Sequence, residues 1–291
     1  MKVKFTKMHG CGNDFIVLDG INESLKLSDA ELSSLARSMC DRHFGVGADG
    51  VLVLLPSTVA DFRMRLFNAD GSEGEMCGNG IRCAARYFIE NVRRSPQVRV
   101  ETLAGVITVK RIVRNGKNYY AVDMGAPKLR AADVPIIWGD PESPVLDAPI
   151  DIPGLGVVRI SAVNTGVPHA VVFVEGIDEL NVKELGRIIR YHRLFPRGTN
   201  VDFAEITGPN TIKVRTYERG VEDETLCCGT GATAVATVAT LLNKVAGDRE
   251  IELVFRGGSL LLRPVISGNR IEKVIMIGTA HNVFHGVFNP D

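Results

Sequence analysis

The sequence predicts an α+β protein of two pseudo-symmetric lobes produced by an internal duplication, each a mixed or antiparallel sheet wrapped around a central helix. The first observation is a repeated motif, because Cys77-Gly78-Asn79-Gly80 returns 151 residues later as Cys228-Gly229-Thr230-Gly231. The second is that each copy follows an acidic polar run and begins a helical pattern. The third is a matching order of strands and helices around both copies, which puts the repeated helix at the centre of each lobe.

The first half reads as short strands interrupted by two helices. Ser28 and Glu31 have the spacing of a capping box at the start of the first helix. The second helix follows Cys77, carries apolar residues at helical spacing and ends before Pro96. A hairpin turn is expected at Asn115-Gly116. Strands are expected at residues 3–19 (two strands around a turn), 51–55, 61–67 and 98–123.

The second half repeats this order. Its helices are expected at residues 181–192, where Asn181 and Glu184 form a cap pair, and after Cys228. Its strands are expected at residues 157–175, 200–206, 211–217 and 251–277. The segment 127–153, rich in Pro and Asp, is interpreted as the connector. The predicted lobes are therefore residues 1–125 with 280–291, and residues 126–279.

Composition excludes several classes of function. The formal net charge is zero and the charges are mixed along the chain, which argues against nucleic acid as a partner. No stretch approaches the ~18 uncharged apolar residues that a membrane span needs. The first residues lack the apolar core of a signal peptide, so a cytoplasmic location is expected. The six cysteines are expected to be thiols, and without a Cys-x-x-Cys pair no metal site is predicted.

Two of these thiols have a context that points to chemistry. A helix N-terminus presents unpaired backbone N–H groups and a partial positive charge. A cysteine at the cap position is therefore expected to ionise near neutral pH, and the following Gly-x-Gly lets backbone amides approach an anion such as a carboxylate. Cys40, Cys83 and Cys227 are instead interpreted as packing residues.

The pairing of two such sites suggests inversion of a carbon next to a carboxylate. A proton must leave one face of that carbon and another must arrive on the opposite face. Two thiols can do this, one as thiolate base and the other as thiol acid, with roles exchanged in the reverse reaction. The donors that hold the carboxylate would also stabilise the enolate-like charge that develops on it. This chemistry requires no cofactor.

The sequence resembles the diaminopimelate epimerases, enzymes of the lysine pathway, in several long motifs along the whole chain. The motifs are Lys7-Met8-His9-Gly10 through Phe15, Arg42-His43-Phe44-Gly45-Val46-Gly47, Phe67-Asn68-Ala69-Asp70-Gly71-Ser72, the two cysteine motifs, Gly166-Val167-Pro168-His169, Asn200 and Tyr217-Glu218-Arg219-Gly220. The resemblance implies interconversion of LL- and meso-2,6-diaminopimelate without pyridoxal phosphate or metal. It also implies a site between two lobes and a homodimer.

The resemblance assigns roles to residues of this chain. Cys77 and Cys228 would be the acid and base pair, and His169 and Glu218 match positions linked to catalysis. The backbone amides of Gly78, Asn79, Gly229 and Thr230 would hold the reacting carboxylate. The rest of the substrate would contact Asn13, Asn68, Asn200, Glu218 and Arg219.

The chain departs from the family pattern in two places. The family commonly has Gly-Asn-Pro-His where this chain has Val167 before Pro168, so Asn164 is taken as the substitute substrate-binding residue. The stretch 221–225 is one residue longer than usual.

Two alternative functions stay open: a two-cysteine racemase of the proline racemase type, and a thiol redox or metal-binding protein that uses Cys77 and Cys228.

Overall fold

The computed structural model describes residues 2–23, 25–152, 156–268 and 270–290. The chain divides into two compact units. Unit 1 is the chain up to Val122 together with the segment that begins at Gly278, and unit 2 is Asp123–Ile277. The boundaries predicted from the sequence lie a few residues further along. Within the described ranges, no helix is long and apolar enough to cross a membrane.

Unit 1 begins with the strands and helices that the sequence predicted. Its elements are β1 (Val3–Gly10), β2 (Asn13–Asp19), α1 (Asp29–Cys40), β3 (Gly50–Leu55), β4 (Phe62–Asn68), β5 (Glu73–Gly74), α2 (Gly78–Asn91), β6 (Gln97–Thr102), β7 (Gly105–Arg114) and β8 (Lys117–Asp123). The capping box of α1 is confirmed, since Ser28 accepts from the Glu31 N–H and the Glu31 carboxylate accepts from the Ser28 N–H. Asn115 and Gly116 both have positive φ, as a tight hairpin turn requires.

The central strands of unit 1 are buried on both faces, which explains their continuous apolar runs. Strands β2 and β3 are parallel, and β3 then pairs with β4 in antiparallel fashion. Ile16 and Val51 pack with the buried face of α1. Leu52 and Phe15 point the other way, towards Gly80 of α2. The start of α2, where Cys77 lies, is therefore seated on a rigid pair of strands.

Unit 2 contains the second set of elements. These are β9 (Val145–Ile152), β10 (Gly156–Asn164), β11 (Pro168–Phe173), α3 (Val182–Arg190), β12 (Asn200–Gly208), β13 (Thr211–Glu218), β14 (Asp223–Thr225), α4 (Gly229–Leu241), β15 (Ile251–Phe255), β16 (Gly258–Ser267) and β17 (Arg270–Gly278). The cap pair of α3 is confirmed, because the Asn181 side chain accepts from the Glu184 N–H.

The two units share one strand order. In unit 2 neighbouring strands run β9-β10-β11-β12-β13-β15-β16-β17, with β11–β12 and β13–β15 parallel and β14 added to β13. In unit 1 the same pattern is β18-β1-β2-β3-β4-β6-β7-β8, with β5 added to β4. Here β18 (His281–Phe288) is the last of the described strands and pairs with β1. The predicted α+β class with two like lobes is confirmed.

One element was misread from the sequence. The segment 127–153 is not a simple connector, because it contains β9 and a short 3-10 helix (Ala131–Asp133). Val134, Val145 and Ile150 are buried in an apolar cluster of unit 2. The prolines and aspartates of this segment indicate a connector by composition. Proline is tolerated on an edge strand, so they do not exclude β9. Residues 153–155 lie outside the described part of the chain.

A cluster of ion pairs around Asp14, at the start of β2, makes the stability of unit 1 depend on pH. Asp14 is 2.5 Å from Lys7 Nζ and 2.8 Å from Arg42. Burial opposes ionisation of Asp14, but its hydrogen bonds to Arg42 and Lys7 outweigh it and lower the pKa from 3.8 to about 2. A depressed carboxyl pKa stabilises the fold above the unfolded value and loses that contribution as the pH falls.

We therefore expect Asp14 to contribute about 2 kcal/mol to the free energy of unfolding at neutral pH, lost between about pH 5 and pH 1. Urea titrations over this pH range check it. In Asp14→Asn the free energy should fall less steeply with acid. Asp178→Asn removes an exposed carboxylate paired with Lys213 and should keep the wild-type slope; equal slopes for both variants would contradict the assignment.

Candidate active site

Cys77 is the N-cap residue of α2. Its backbone is extended, with φ −135° and ψ 123°, and the Ile81 N–H donates to its carbonyl oxygen. The thiol therefore lies beside the first turn of the helix, where backbone N–H groups point outward. The side chain is half-buried. The first turn runs through Gly78 and Asn79, the residues expected to hold a carboxylate.

The structure brings Asn13 to Cys77. Asn13 begins β2, and its Oδ1 lies 3.5 Å from Cys77 Sγ and 3.4 Å from Asn79 Nδ2. Its Nδ2 donates to Asp49 at 2.6 Å. Because an amide oxygen only accepts, the Cys77 thiol donates its proton in this contact. Asn68 ends β4, where its amide donates to Ser72 Oγ at 3.0 Å within the following turn.

Cys228 holds the corresponding place in unit 2. It is the N-cap of α4, with φ −108° and ψ 115°, and its Sγ accepts from the Gly231 N–H at 3.3 Å. Thr230 Oγ1 is also 3.3 Å from the sulfur. Gly231 leaves no room for a side chain, since an added Cβ would lie 2.3 Å from Asp202 Oδ1.

The acidic runs before the two cysteines are explained by matching ion pairs. In unit 1, Arg65 donates two hydrogen bonds of 2.7 Å to Glu73 on β5. In unit 2, Arg215 donates two of 2.8 and 2.7 Å to Glu224 on β14. Such two-point pairs fix direction as well as distance. Each therefore anchors the short strand that leads into a cysteine.

The electrostatic environment of Cys228 corrects one expectation. The helix start was expected to favour ionisation, yet the pKa of Cys228 is raised well above its usual value of 9.0. Burial is the main cause, and the nearby carboxylates of Glu218 and Asp202 add to it. The hydrogen bonds from Thr230 and Gly231 oppose this rise without overcoming it. Desolvation thus outweighs the helix terminus at this site.

Glu218 is the carboxylate next to that thiol. It ends β13, hydrogen-bonds Cys228, and accepts from Thr225 Oγ1 at 2.6 Å. Burial raises the pKa of Glu218, while its bonds to Thr225 and Cys228 lower it. A carboxyl group with a raised pKa beside a thiol can take the thiol proton and return it.

His169 is held by a residue that the sequence interpretation missed. His169 is fully buried, and its Nδ1 lies 2.7 Å from Asp202 Oδ2. The other oxygen of Asp202 accepts from Thr216 Oγ1 at 2.8 Å. A signal was present: Asn200 and Asp202 are polar residues two apart in an apolar strand, so they share one face of β12.

Asn200 contacts two other predicted site residues, Arg219 and His169. Its Oδ1 accepts from the Arg219 N–H at 2.8 Å, and its Nδ2 donates to the Pro168 carbonyl and lies 3.5 Å from His169 Nε2. Parallel pairing of β11 with β12 sets His169 opposite Asn200. The Arg219 guanidinium donates to the Arg197 carbonyl oxygen.

Asn164 is engaged in the turn that contains Val167. Its Nδ2 donates to the Asp133 carbonyl at 2.8 Å, and its Oδ1 accepts from the Gly166 N–H at 3.0 Å. Thr165 next to it donates to the Thr230 carbonyl in the first turn of α4. In this structure Asn164 shapes the turn, and its role as a substrate-binding substitute stays a prediction.

The longer stretch after Glu218 is anchored by Glu222. This residue has φ +57°. Its carboxylate accepts from the Gly220 N–H and from Arg190, both at 3.0 Å, and from Tyr191 Oη at 3.1 Å. The extra residue is thus accommodated by a left-handed turn tied to α3.

Three of the other cysteines are interpreted from the sequence as packing residues. Cys40, Cys83 and Cys227 are buried, as predicted. Burial raises the pKa of both Cys40 and Cys83 to about 12. All six cysteines lie in the described ranges, and none forms a disulfide. Over these ranges no group of three or more His, Cys, Asp or Glu side chains is arranged to hold a metal ion.

Solved structures define the class of protein to which this fold belongs. The chain superimposes on a PhzF-family protein of Bacillus anthracis with a TM-score of 0.74 at 17% identity, each chain covered in full. It also matches a hydroxyproline epimerase of Agrobacterium vitis with a TM-score of 0.70 at 17% identity, over 98% of this chain and 92% of the other. The class is the two-unit α+β fold shared by PhzF-family and proline racemase-type proteins.

Sequence comparison narrows this class to one family. The family model described as diaminopimelate epimerase matches residues 5–130 and 161–283. A diaminopimelate epimerase of Carboxydothermus hydrogenoformans is 45% identical over 98% of this chain and 99% of its own length. One of Archaeoglobus fulgidus is 44% identical over 99% of this chain and 96% of its own. The chain belongs to the diaminopimelate epimerase family of isomerases, which confirms the resemblance.

Proposed function

We propose that this protein interconverts LL- and meso-2,6-diaminopimelate by proton transfer at the α-carbon between the thiols of Cys77 and Cys228. Neither pyridoxal phosphate nor metal takes part. The observation that carries the proposal is that Cys77 and Cys228 are the N-cap residues of equivalent helices, α2 and α4, in two units that share one strand order. Two equivalent thiol sites on two equivalent units suit a reaction in which a proton leaves one face of a carbon and another arrives on the opposite face. The reaction would serve lysine and peptidoglycan-precursor biosynthesis.

One carboxylate of the substrate is assigned to the two helix starts. Backbone amides of Gly78 and Asn79 in α2, and of Gly229 and Thr230 in α4, would bind it as helix N-termini bind anions. The same amides would stabilise the charge that moves onto this carboxylate when the α-proton leaves. Binding and catalysis then use one set of donors.

The proton transfers are assigned to the thiols with different helpers. Cys228 hydrogen-bonds Glu218, which can accept its proton and leave a thiolate base. Cys77 donates to Asn13 Oδ1, so it is the protonated partner in the state described. When Cys228 takes the α-proton, the α-carbon receives the Cys77 proton on the opposite face. The reverse reaction exchanges the two roles.

The distal end of diaminopimelate carries a second carboxylate and an ammonium group. Arg219 and the side-chain amides of Asn13, Asn68, Asn164 and Asn200 suit the carboxylate. Glu218 suits the ammonium group, because a carboxyl group that holds the Cys228 proton still has an oxygen that can accept a hydrogen bond. The buried His169–Asp202 pair supports this region through Asn200. We assign His169 a role in catalysis through this contact.

Hydrogen exchange tests the proposed reaction directly. In D2O with reductant and no added cofactor, the protein should wash deuterium into the α-position of diaminopimelate and convert the LL isomer to the meso isomer. Proton NMR follows the exchange and chiral chromatography follows the conversion. Absence of exchange under these conditions would sink the proposal.

The same assay separates the proline racemase alternative. A hydroxyproline epimerase shares this fold at 17% identity, which is a likeness of fold alone. Deuterium incorporation into proline, with none into diaminopimelate, would favour that alternative. Activity on diaminopimelate alone would exclude it. A thiol redox or metal-binding protein would catalyse exchange into neither compound.

We further propose that the protein works as a homodimer in the cytoplasm, without nucleic acid or membrane partners. Among the described strands, β18 has one partner, β1, so it leaves an edge of the unit 1 sheet open. Val283, Phe284 and Val287 of β18 are 46–55% exposed. An open edge with apolar side chains is normally covered in a native protein.

Sedimentation velocity should therefore give about twice the chain mass of 31.6 kDa. Phe284→Glu should shift the protein towards the single-chain mass by placing a charge in the contact. Val157→Glu changes a residue that is 70% exposed on β10 and should leave the dimer intact. A monomeric wild-type protein at micromolar concentration would overturn this assignment.

A further inference from the structure

The orientation of the Asn13 side-chain amide determines which end of that amide, oxygen or nitrogen, faces the Cys77 thiol. A side-chain amide has an acceptor end and a donor end, and a half-turn exchanges them. With Oδ1 towards the sulfur, the amide accepts from the protonated thiol. With Nδ2 towards the sulfur, it would donate to the thiolate. The residues that set this orientation therefore bias the protonation state of Cys77.

Asp49 fixes the amide from one end. Its Oδ2 accepts from Asn13 Nδ2 at 2.6 Å and from the Asp14 N–H at 3.1 Å. An ionised carboxylate can only accept, so the donor end of Asn13 must face it. Asp49 is itself held, since Arg42 lies 2.7 Å from its Oδ1. The proposed reaction uses none of these contacts.

Asn79 favours the same orientation from the other end. The fully buried Arg82 donates to Asn79 Oδ1 at 2.7 Å and to the Gly78 carbonyl at 3.0 Å. A guanidinium can only donate, so it fixes the acceptor end of Asn79. Asn79 Nδ2 is left to face Asn13 Oδ1, at 3.4 Å. Asn13 thus has a pure acceptor on one side and a fixed donor on the other.

We propose that Asp49 is a positioning residue for Cys77, acting through the Asn13 amide. By holding Asn13 Nδ2 it turns Oδ1 towards the sulfur and keeps Cys77 as the proton-donating thiol. This inference rests on the proposed function only in treating Cys77 as a reacting group. Unit 2 has a different arrangement, because Cys228 accepts from the Gly231 N–H and Thr233 takes the place of Arg82.

The test measures the alkylation of Cys77 by iodoacetamide against pH, resolved by peptide mass spectrometry on the full chain. Only the thiolate reacts, so the midpoint reports the pKa of the thiol. In Asp49→Ala, Asn13 is released and can donate to the thiolate, and the midpoint should fall by about one pH unit. Asp49 is 44% exposed, so this variant is expected to fold; thermal unfolding verifies this.

Two matched variants separate orientation from charge. Asp49→Asn lacks the charge but retains an oxygen that can accept from Asn13 Nδ2 and the Asp14 N–H, so its midpoint should stay near wild type. Arg42→Gln breaks the ion pairs of the same cluster and leaves the Asp49–Asn13 bond, and it should also keep the wild-type midpoint. Equal shifts in Asp49→Ala and Asp49→Asn, a shift in Arg42→Gln, or no shift in Asp49→Ala would each overturn the proposal.

The readout does not depend on the proposed reaction. Alkylation requires no substrate, so a chain without diaminopimelate exchange would still report the Cys77 midpoint. If exchange is present, Asp49→Ala should move the acidic side of the kcat profile as well, and Asp49→Asn should restore it. A general loss of structure would lower kcat in both variants and would not be rescued.

Discussion

Replacing either Cys77 or Cys228 by alanine is expected to lower kcat/KM for diaminopimelate epimerisation by about 10²–10⁴-fold. This is the range that a positioned acid or base contributes to catalysis. In the proposed mechanism the two thiols act together in one inversion, so the double variant should be little worse than either single one. Chiral chromatography of the LL and meso isomers measures the rates.

The single variants should also separate exchange from inversion. With one thiol left, a proton can leave and return on one face of the α-carbon. Each variant should therefore exchange the α-hydrogen of one stereoisomer with D2O and produce almost none of the other. Cys83→Ala is the matched control, because Cys83 is a fully buried residue of the same helix as Cys77. Wild-type epimerisation in Cys77→Ala would refute the two-thiol mechanism.

Substitution of Gly231 by alanine is expected to cost about 3 kcal/mol in the free energy of unfolding. The new Cβ would lie 2.3 Å from Asp202 Oδ1 and 3.2 Å from the Cβ of Cys228. Asp202 cannot easily move, since it is fully buried and held by His169 and Thr216. Its displacement would break a buried pair, so epimerase activity should fall with stability.

The duplication offers a matched control for this substitution. Gly80 occupies the same place in α2, where an added Cβ would meet Leu52 Cδ2 at 3.2 Å and Phe15 Cζ at 3.4 Å. The end of a leucine can shift, and alanine favours the helix by up to about 1 kcal/mol. Gly80→Ala should therefore change the free energy of unfolding by less than about 1 kcal/mol. Equal urea transitions for the two variants would contradict the steric argument.

Local sequence signals predicted most of the secondary structure. The capping box at Ser28, the cap pair at Asn181 and the hairpin at Asn115 each depend on residues close in the chain, so they were readable. The repeated cysteine motif identified both helix starts for the same reason. The family resemblance then supplied the expected substrate and the residues expected to bind it.

The sequence did not reveal features set by contacts distant along the chain. Strand β9 was missed because its partner β10 supplies the apolar surroundings that its own composition hides. Asp202 was missed because its spacing from Asn200 indicates only a shared face of β12, and its contact with His169 forms only when β11 and β12 pair. The raised pKa of Cys228 follows from burial beside Glu218 and Asp202, which a helix-start argument could not include.

The position in the sequence of the first strand of each sheet affects how the protein folds during its synthesis. In unit 2 the first strand, β9, directly precedes its partner in the chain, so this unit is complete once Ile277 has been synthesised. In unit 1 the equivalent strand is β18, and Val3 pairs with Phe288, which follows the whole of unit 2 in the sequence. During translation β1 must therefore wait, without this neighbour, until residues 281–288 have left the ribosome. Unit 1, the first to be synthesised, is the last to complete its sheet, and a chaperone that shields β1 would act in that interval.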